Sequence, residues 1–279
     1  MFSTIKEIIA YRQMIVGLVR KDLRGRYKGS VLGFLWTFIN PLLQLMIYGF
    51  FFSKLLMRNS QVDSYYLYLF IGLIPWIFIS SAVSGGSTSV LSQKDLVKKI
   101  YFPREVLPIA YVTSCLVNML LSFIIVILAV LFNHIVLQVP DSEKFTMIAK
   151  LPTLRGLLFF PVIVIIEYLL CLGIAMITSA ITVYFRDLEH ILSLVTMAWF
   201  YATPIVYVLK DLGLPGWMEN LITYCNPAAP IVEAYRAIFY EGGIPQMKTL
   251  LVATGLGFLF LIIGFLLFGK LKKHFAEEL

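Results

Sequence analysis

Residues 20–43 read RKDLRGRYKGSVLGFLWTFINPLL and join a block of basic residues directly to a membrane-length apolar stretch. Lys and Arg are retained on the cytoplasmic side of a bilayer, so this junction predicts that the N-terminus lies in the cytoplasm. The junction therefore fixes the orientation of every apolar segment that follows it.

The composition of the chain is that of a polytopic membrane protein. Apolar residues make up 59% of the 279 positions and charged residues only 14%, with a mean hydropathy of +0.86. Soluble domains contain roughly 25% charged residues. We therefore predict an all-α integral membrane protein.

Apolar stretches of about 20 residues, the length of one membrane-spanning helix, recur along the chain. They predict six spans at about residues 31–53, 65–90, 106–132, 157–184, 188–209 and 247–269. An even number of spans places both termini in the cytoplasm. The chain is then one transmembrane domain, in which residues 1–30 precede a six-span bundle of residues 31–269 and residues 270–279 form a cytoplasmic tail.

The net charge of +7 is explained by this topology. Fifteen of the 23 Lys and Arg residues fall in predicted inner segments and eight in predicted outer segments, among them Arg58, Lys144, Lys150 and Arg236. Positive charge that faces anionic lipid accounts for the asymmetry, so we expect no nucleic-acid partner.

Residues 3–24 have the pattern of an amphipathic helix. Ile8, Ile9, Val16 and Val19 recur at helical spacing on one face, and the segment has no apolar h-region of a signal peptide. We predict a helix that lies in the inner membrane interface. A simple membrane anchor remains the alternative role.

No metal site, disulfide or nucleotide site is predicted in this chain. The three His and three Cys residues lie far apart, without metal-ligand spacing or a disulfide framework. Residues 264–270 spell G-x-x-x-x-G-K, but Leu271 stands where a phosphate loop has Ser or Thr, and the stretch ends an apolar helix. Small residues for helix packing explain it, so any ATP must bind another polypeptide.

Two predicted inner connections are short, charged and partly aromatic. They read SQKDLVKKIYFPREVLP at 92–108 and YFRDLEH at 184–190. Such turns could bind a soluble partner, and ordinary solvated turns are the alternative.

The outer segment 203–243 differs, because Pro and Gly divide it into apolar pieces too short to cross a bilayer. Re-entrant helices that gate an exit, or an inert cap, would have this pattern.

Aromatic residues make up 15% of the chain. Their flat rings can present smooth faces and hydrogen bonds to sugars, although interface belts and helix packing are commoner roles. The candidates for lining a path are Trp36, Tyr48, Phe52, Trp76 and Tyr201. Glu167 is the one acid well inside a predicted span, and we expect it to form a structural hydrogen bond with a Ser, Thr or Asn such as Asn118.

Four motifs resemble, in order and spacing, the membrane subunit of type-2 ATP-binding-cassette exporters of the branch that exports O-antigen, capsule or wall teichoic acid. They are DLRGRYKGSVLGFLWTFINPLL at 22–43, LVKKIYFPREVLPI at 96–109, YFRDLEHIL at 184–192 and YCNPAAPIVEAYRAIFY at 224–240. The resemblance covers nearly the whole chain. It implies a lipid-linked glycan cargo and a separate ATPase, two copies of which bind ATP and Mg²⁺. A homodimer with the path at its interface would suit a long polymer.

The resemblance also implies roles for particular residues. Those expected to contact the ATPase are Lys94, Asp95, Lys98, Lys99, Arg186, Asp187 and Glu189. Those expected to receive the substrate head group are Arg24, Arg26, Lys28, Lys98, Lys99 and Arg104. Those expected to form the outer gate are Pro204, Tyr207, Asn226, Pro227 and Tyr235. This subunit is then a translocating subunit and not an enzyme.

Other functions predict different features. A type-2 exporter of a small molecule or lipid is the nearest alternative. An ion-coupled secondary carrier would have paired intramembrane charges or inverted repeats, and a membrane glycosyltransferase an acidic cluster near the interface; neither pattern is evident.

Overall fold

A computed structural model describes residues 2–55, 64–136 and 151–278 of the chain. Within these ranges the structure is helical and contains no strand. Three residues that were predicted to lie in outer segments fall outside the described ranges: Arg58, Lys144 and Lys150. Met1 and Leu279, the ends of the predicted domain, also fall outside them.

The N-terminal segment forms two helices, α1 (Phe2–Ala10) and α2 (Arg12–Tyr27), instead of the single helix predicted over residues 3–24. The break falls at Tyr11, whose backbone leaves the helical range at ψ 18°. Its hydroxyl donates a hydrogen bond to the carbonyl of Tyr101, 3.5 Å away, so the break lets the ring reach the protein. α2 packs along the start of a long helix described below.

The remaining described helices follow in chain order. They are α3 (Trp36–Leu55), α4 (Tyr65–Ser87), α5 (Lys94–Lys99), α6 (Val106–Val136), α7 (Leu154–Tyr184), α8 (Leu188–Ala202), α9 (Gly216–Cys225), α10 (Ala229–Phe239), α11 (Met247–Leu271) and α12 (Phe275–Glu278). Short 3-10 turns occur at Gly33–Leu35, Leu91–Gln93, Leu209–Leu212 and Lys272–His274.

Among the described residues, α3, α4, α6, α7 and α11 are long and apolar enough to cross a membrane. The predicted all-α integral membrane fold is thereby confirmed. The predicted span 188–209 was wrong in extent, because α8 has 15 residues and ends at Ala202. Pro204 disfavours helical backbone at Thr203, which is extended at φ −100° and ψ 133°. At 1.5 Å per residue α8 is about 22 Å long, less than the hydrocarbon thickness of about 30 Å.

α4 is the central helix of the bundle. It packs against α3, α6, α7, α8 and α10, and 72% of its most apolar 18-residue window is buried. In α3, only 17% of the most apolar 18-residue window is buried. α3 therefore stands at the periphery, with most of its surface uncovered by its own chain.

α7 and α11 form the closest helix pair. A Cβ added to Gly173 would lie 2.4 Å from the carbonyl carbon of Phe260, and one added to Gly264 would lie 2.5 Å from the carbonyl oxygen of Gly173. Glycine thus permits backbone contact that a larger residue would prevent, as is typical of membrane helix pairs. The helix-packing role predicted for the glycines near the end of α11 is confirmed at Gly264.

The bundle has two distinct ends. The basic end comprises residues 12–30, 88–105, 184–190 and 270–278, and contacts such as Lys21 Nζ to Gln93 Oε1 at 3.3 Å hold it together. The opposite end comprises residues 64–68, 151–156, 203–212 and 240–247. There the Tyr65 hydroxyl donates to the Val206 carbonyl at 2.8 Å, and the amide of Thr153 donates to the carbonyl of Gly242.

The outer segment predicted to hold re-entrant helices contains α9 and α10, of 10 and 11 residues. Both are too short to cross a bilayer. α10 packs between α4, α7 and α11, and nearly all of its side chains are buried. Its backbone therefore lies within protein, which is where a short helix at membrane depth is tolerated.

Candidate functional site

Three clefts lie beside α4, one at the basic end and two next to each other within the bundle. The first, of about 420 Å³, lies between α2, the end of α4 and the start of α6. The second, of about 350 Å³, lies between α3, α4 and α6, and the third, of about 440 Å³, between α3, α4 and α8. Arg26 lines the first two clefts, while Ile77 and Ser81 line the second and third, so neighbouring clefts share walls.

Neutral hydrogen-bonding groups and aromatic rings line the second and third clefts. The polar residues of the second are Thr37, Asn40, Ser81, Asn118 and Ser122, and those of the third are Gln44, Ser80, Ser81, Ser193 and Thr196. Among the described lining residues of both clefts, Arg26 alone is charged. These walls can hydrogen-bond a neutral hydroxyl-rich ligand without holding it by fixed charge.

Four of the five predicted path-lining aromatics border these clefts. Trp36 lines the second, where its Nε1 donates to Ser30 Oγ at 3.0 Å. Tyr48, Trp76 and Tyr201 line the third. Trp76 is packed edge-on against Trp199, with ring centroids 5.5 Å apart, so most of its ring is structural. Phe52 packs against the Tyr48 ring at 6.2 Å.

The residues predicted to receive a head group are divided among separate places at the basic end. Arg24 and Lys28 join Arg20 and Lys21 around an open cleft of about 900 Å³ beside α2. Lys98 and Lys99 are exposed on α5. Four cations around one cleft form the strongest concentration of positive charge within the described clefts.

Arg26 differs from its basic neighbours because its side chain contacts other helices. Its Nε pairs with Asp22 at 2.9 Å, and its Nη2 donates to Ser114 Oγ at 3.3 Å and to Cys115 Sγ at 3.4 Å. The guanidinium also lies 5.4 Å from the Tyr111 ring centroid. These contacts fasten α2 to α6 at the boundary between the first two clefts.

Arg104 lies apart from the other predicted head-group residues. It donates a hydrogen bond to the Lys272 carbonyl, and its guanidinium lies 5.8 Å from the Phe275 ring centroid. Its neighbour Glu105 is buried and pairs with Lys272 Nζ at 2.5 Å. The chain after α11, which was predicted to be a cytoplasmic tail, is thus docked on the connection between α5 and α6.

The residues predicted to contact an ATPase are all exposed at the basic end. α5 presents Lys94, Asp95, Lys98 and Lys99 to solvent, while Val97 on its other face is buried. Arg186, Asp187 and Glu189 are exposed around the turn between α7 and α8. Two charged protrusions therefore point away from the bundle at this end.

At the opposite end, the predicted gate residue Asn226 connects α8 to the start of α10. Its Oδ1 accepts hydrogen bonds from Trp199 Nε1 at 2.7 Å and from the amide of Ala228 at 3.0 Å, and its Nδ2 donates to Thr203 Oγ1 at 2.9 Å. The adjacent Pro227 is half-buried. Tyr207 donates from its hydroxyl to the Tyr201 carbonyl at 3.0 Å.

Arg236 was counted in a predicted outer segment, and the structure shows that its side chain is buried there. The residue is 4% exposed, and its Cζ lies 3.6 Å from the Tyr68 ring centroid. Its Nη1 donates to the carbonyl of the predicted gate residue Pro204 at 2.5 Å, and its Nη2 to that of Ile205 at 2.6 Å. Gly72 makes room for it, since a Cβ there would lie 2.7 Å from Nη2. An Arg within the apolar helical pattern of residues 231–240 was the available signal.

Glu167 forms the structural hydrogen bond that was expected, but with a different partner. Its Oε2 accepts from the hydroxyl of Tyr235 at 2.6 Å, so the partner is a predicted gate residue on α10 and not Asn118. Both side chains are fully buried, and Oε1 has no partner within the described structure. α10 is thus attached to α7 through Tyr235 and to the end of α8 through Arg236.

Comparison with known proteins gives a consistent result. The family described as "ABC-2 type transporter" matches residues 13–240. An "O-antigen export system permease protein RfbA" of Myxococcus xanthus is 32% identical over 280 residues, or 100% of both chains, and one of Klebsiella pneumoniae is 37% identical over 267 residues, or 95% of both. A "Polysialic acid transport protein KpsM" of Escherichia coli is 24% identical over 254 residues, which cover 91% of this chain and 92% of that protein.

Proposed function

Because this chain belongs to the ABC-2 type transporter family, we propose that it is the membrane subunit of an ATP-driven exporter of a lipid-linked polysaccharide. The names of the O-antigen and polysialic acid relatives support this class of cargo. The observation that supports it most is the polar and aromatic lining of the second and third clefts, in which Arg26 is the one charged residue among the described lining residues. Hydrocarbon does not solvate such walls, whereas sugar hydroxyls hydrogen-bond to them.

ATP is hydrolysed by a separate nucleotide-binding subunit, present in two copies and carrying the Mg²⁺. The exposed charges of α5 and of the turn at 186–189 form its contact surface. The basic end then faces the cytoplasm of the inner or plasma membrane, in agreement with the preference of Lys and Arg for that side. Arg24 and Lys28 are available there to a phosphate group of the cargo lipid.

Two copies of the chain enclose the path. The clefts open beside α3, most of which its own chain leaves uncovered. A second copy related by a two-fold axis would cover this face and would double the polar wall. Asn226 and Arg236 then close the outer exit, since they fasten α10 to the end of α8.

The proposal is tested by purification and by depletion. The chain should co-purify with an ABC nucleotide-binding subunit as two plus two copies, and it should hydrolyse no ATP alone. Depleting it should leave lipid-linked glycan in the cytoplasmic leaflet. ATPase activity of this polypeptide in the absence of contaminants, or unchanged export of the glycan after depletion, would refute the assignment.

A further inference from the structure

The chain turns back after α11 and packs into the basic end. We name residues 272–278 the C-terminal hook. Phe275 of this hook is 0% exposed, and its ring centroid lies 5.4 Å from that of Phe268 and 6.1 Å from that of Tyr184. A buried aromatic ring at the end of a highly charged segment indicates a specific docking position.

Polar contacts fix the same position. Lys272 Nζ pairs with Glu105 Oε1 at 2.5 Å, and Glu105 is 2% exposed. Arg104 donates to the Lys272 carbonyl, and the hydroxyl of Tyr184 donates to the carbonyl of Leu271 at 2.8 Å. The hook is therefore bonded to Arg104 and Glu105, while Tyr184 bonds to the residue directly before it and contacts the Phe275 ring.

These residues adjoin the two charged protrusions of the basic end. Arg104 and Glu105 lie between α5 and α6, directly after the segment that carries Lys98 and Lys99. Tyr184 is the last residue of α7, directly before the turn that carries Arg186 and Asp187. The hook is thus a bridge between the bases of both protrusions.

The chemistry of the bridge favours a positional role. Glu105 is buried while Lys272 is partly exposed, and desolvation of the carboxylate offsets much of their attraction. Loss of Lys272 would nevertheless leave a buried carboxylate without its counter-charge. The cost of losing Lys272 is increased because Glu105 Oε2 has no hydrogen-bond partner within the described residues. Separating Lys272 from Glu105 would therefore cost free energy, so the pair favours one arrangement of the segments that carry the two residues.

We propose that the C-terminal hook is a positioning device that holds the α5–α6 connection and the α7–α8 turn in one fixed arrangement, so that a single ATPase subunit engages both together. The effect of the hook on transport rests on the proposed function. The fixed arrangement itself is a property of this chain, and it can be measured without the ATPase.

The first experiment measures the arrangement. Spin labels at Lys98→Cys and Asp187→Cys, with Cys225 replaced by Ser, report the distance between the protrusions in the purified chain. Phe275→Ala and Lys272→Ala should broaden the distance distribution, while Lys273→Ala, a change at the exposed neighbour, should leave it narrow. An equally narrow distribution in all variants would overturn the proposal, whether or not the ATPase assignment holds.

The second experiment measures coupling in the assembled transporter. In Phe275→Ala and Lys272→Ala, glycan exported per ATP hydrolysed should fall about fivefold or more, the lower end of typical coupling between sites. The charge exchange Lys272→Glu with Glu105→Lys should restore part of this ratio, which a general folding defect would not allow. Wild-type coupling in both single variants would overturn the proposal while leaving the proposed function intact.

If Phe275→Ala fails to accumulate in membranes, Phe275→Leu and the charge exchange decide the outcome. Leu keeps the apolar anchor but loses the ring faces that meet Arg104 and Tyr184. A folded Phe275→Leu variant with a broadened distance supports the positioning role. One with an unchanged distance and unchanged coupling, together with a charge exchange that restores nothing, overturns it.

Discussion

At the residue scale, two consecutive residues of α10 attach that helix to two different parts of the bundle. Tyr235 bonds to Glu167 on α7, while Arg236 bonds to the carbonyls of Pro204 and Ile205 after α8. Hydrogen bonds from a charged group contribute about 1.5 to 3 kcal/mol each, and a desolvated cation over an aromatic ring about 2 kcal/mol. Arg236 is accordingly the residue on which the position of α10 in the bundle depends most.

Replacing Arg236 by Lys should destabilise the protein by about 2 kcal/mol or more, since a single ammonium cannot donate to both carbonyls in the same geometry. Thermal unfolding of the purified protein measures the effect. Gly72→Ala should produce a similar loss, because its methyl group would displace the guanidinium. The matched control is Arg155→Lys, an exposed position at the same end of the bundle, which should have no effect.

Tyr235→Phe should cost more stability than Glu167→Gln. The amide oxygen of Gln can still accept from the Tyr235 hydroxyl, whereas Phe leaves the buried carboxyl without this hydrogen bond, a cost of about 1 to 3 kcal/mol. Unfolding midpoints of both single variants and of the double variant give the coupling between the two residues. Equal losses in the single variants would contradict this assignment of roles.

Sequence patterns located these side chains only in part. The intramembrane position of Glu167 identified it as a hydrogen-bonding group, but its partner could not be inferred, because α10 packs beside α7 only through contacts distant in sequence. Arg236 sits in a segment that was predicted to be a re-entrant helix or an inert cap, and the sequence did not indicate that this side chain is buried. Its burial depends on the Tyr68 ring and on the carbonyls of Pro204 and Ile205, which lie in other segments. The periodicity of its own segment does not reveal these partners.

At the scale of elements, the α7–α11 pair depends on glycine at defined points. Gly264→Ala should force the two backbones apart and lower the thermal stability, because the added Cβ would meet the Gly173 carbonyl at 2.5 Å. Gly255→Ala on the same helix is the matched control, since open space surrounds that position. Loss of stability in both variants to the same degree would mean that helix packing is not the cause.

The two charged protrusions should act together in docking the ATPase. Reversing charge at Lys98, Lys99, Arg186 and Asp187 in one variant should impair export and co-purification without preventing membrane insertion. Exposed ion pairs contribute only about 0.2 to 1 kcal/mol each, so single reversals should be mild. Normal export by a fully expressed quadruple variant would remove these residues from the interface.

The lengths of the helices were predictable where apolar residues run uninterrupted. Local backbone chemistry decided the exceptions: Pro204 ends α8 early, and Tyr11 separates α1 from α2 because its side chain packs on the Tyr101 segment. The docked C-terminal hook was beyond prediction for another reason. Its sequence, KKHFAEE, has the composition of a solvated tail, and Tyr184 and Arg104, which meet the Phe275 ring, lie far away in the chain.

At the scale of the whole molecule, the clefts along α4 define a face that a polymer can follow. Trp36→Ala with Tyr48→Ala should reduce export of long glycan more than it reduces assembly with the ATPase, since these rings border the second and third clefts. Phe258→Ala is the control, an exposed aromatic on α11 that lines none of these clefts. Export measured against glycan length tests the prediction, and equal defects in both variants would place the path elsewhere.

The double attachment of α10 also has a consequence for the energised cell. A membrane pore wide enough for a glycan would dissipate the proton gradient if it opened at random. If α10 closes the proposed exit, it cannot tilt away without breaking the contacts of Arg236, Tyr235 or both. We therefore expect partial opening to be disfavoured and the resting barrier to small ions to be retained. Cells that produce the Arg236→Lys protein should therefore lose membrane potential even without any cargo to export.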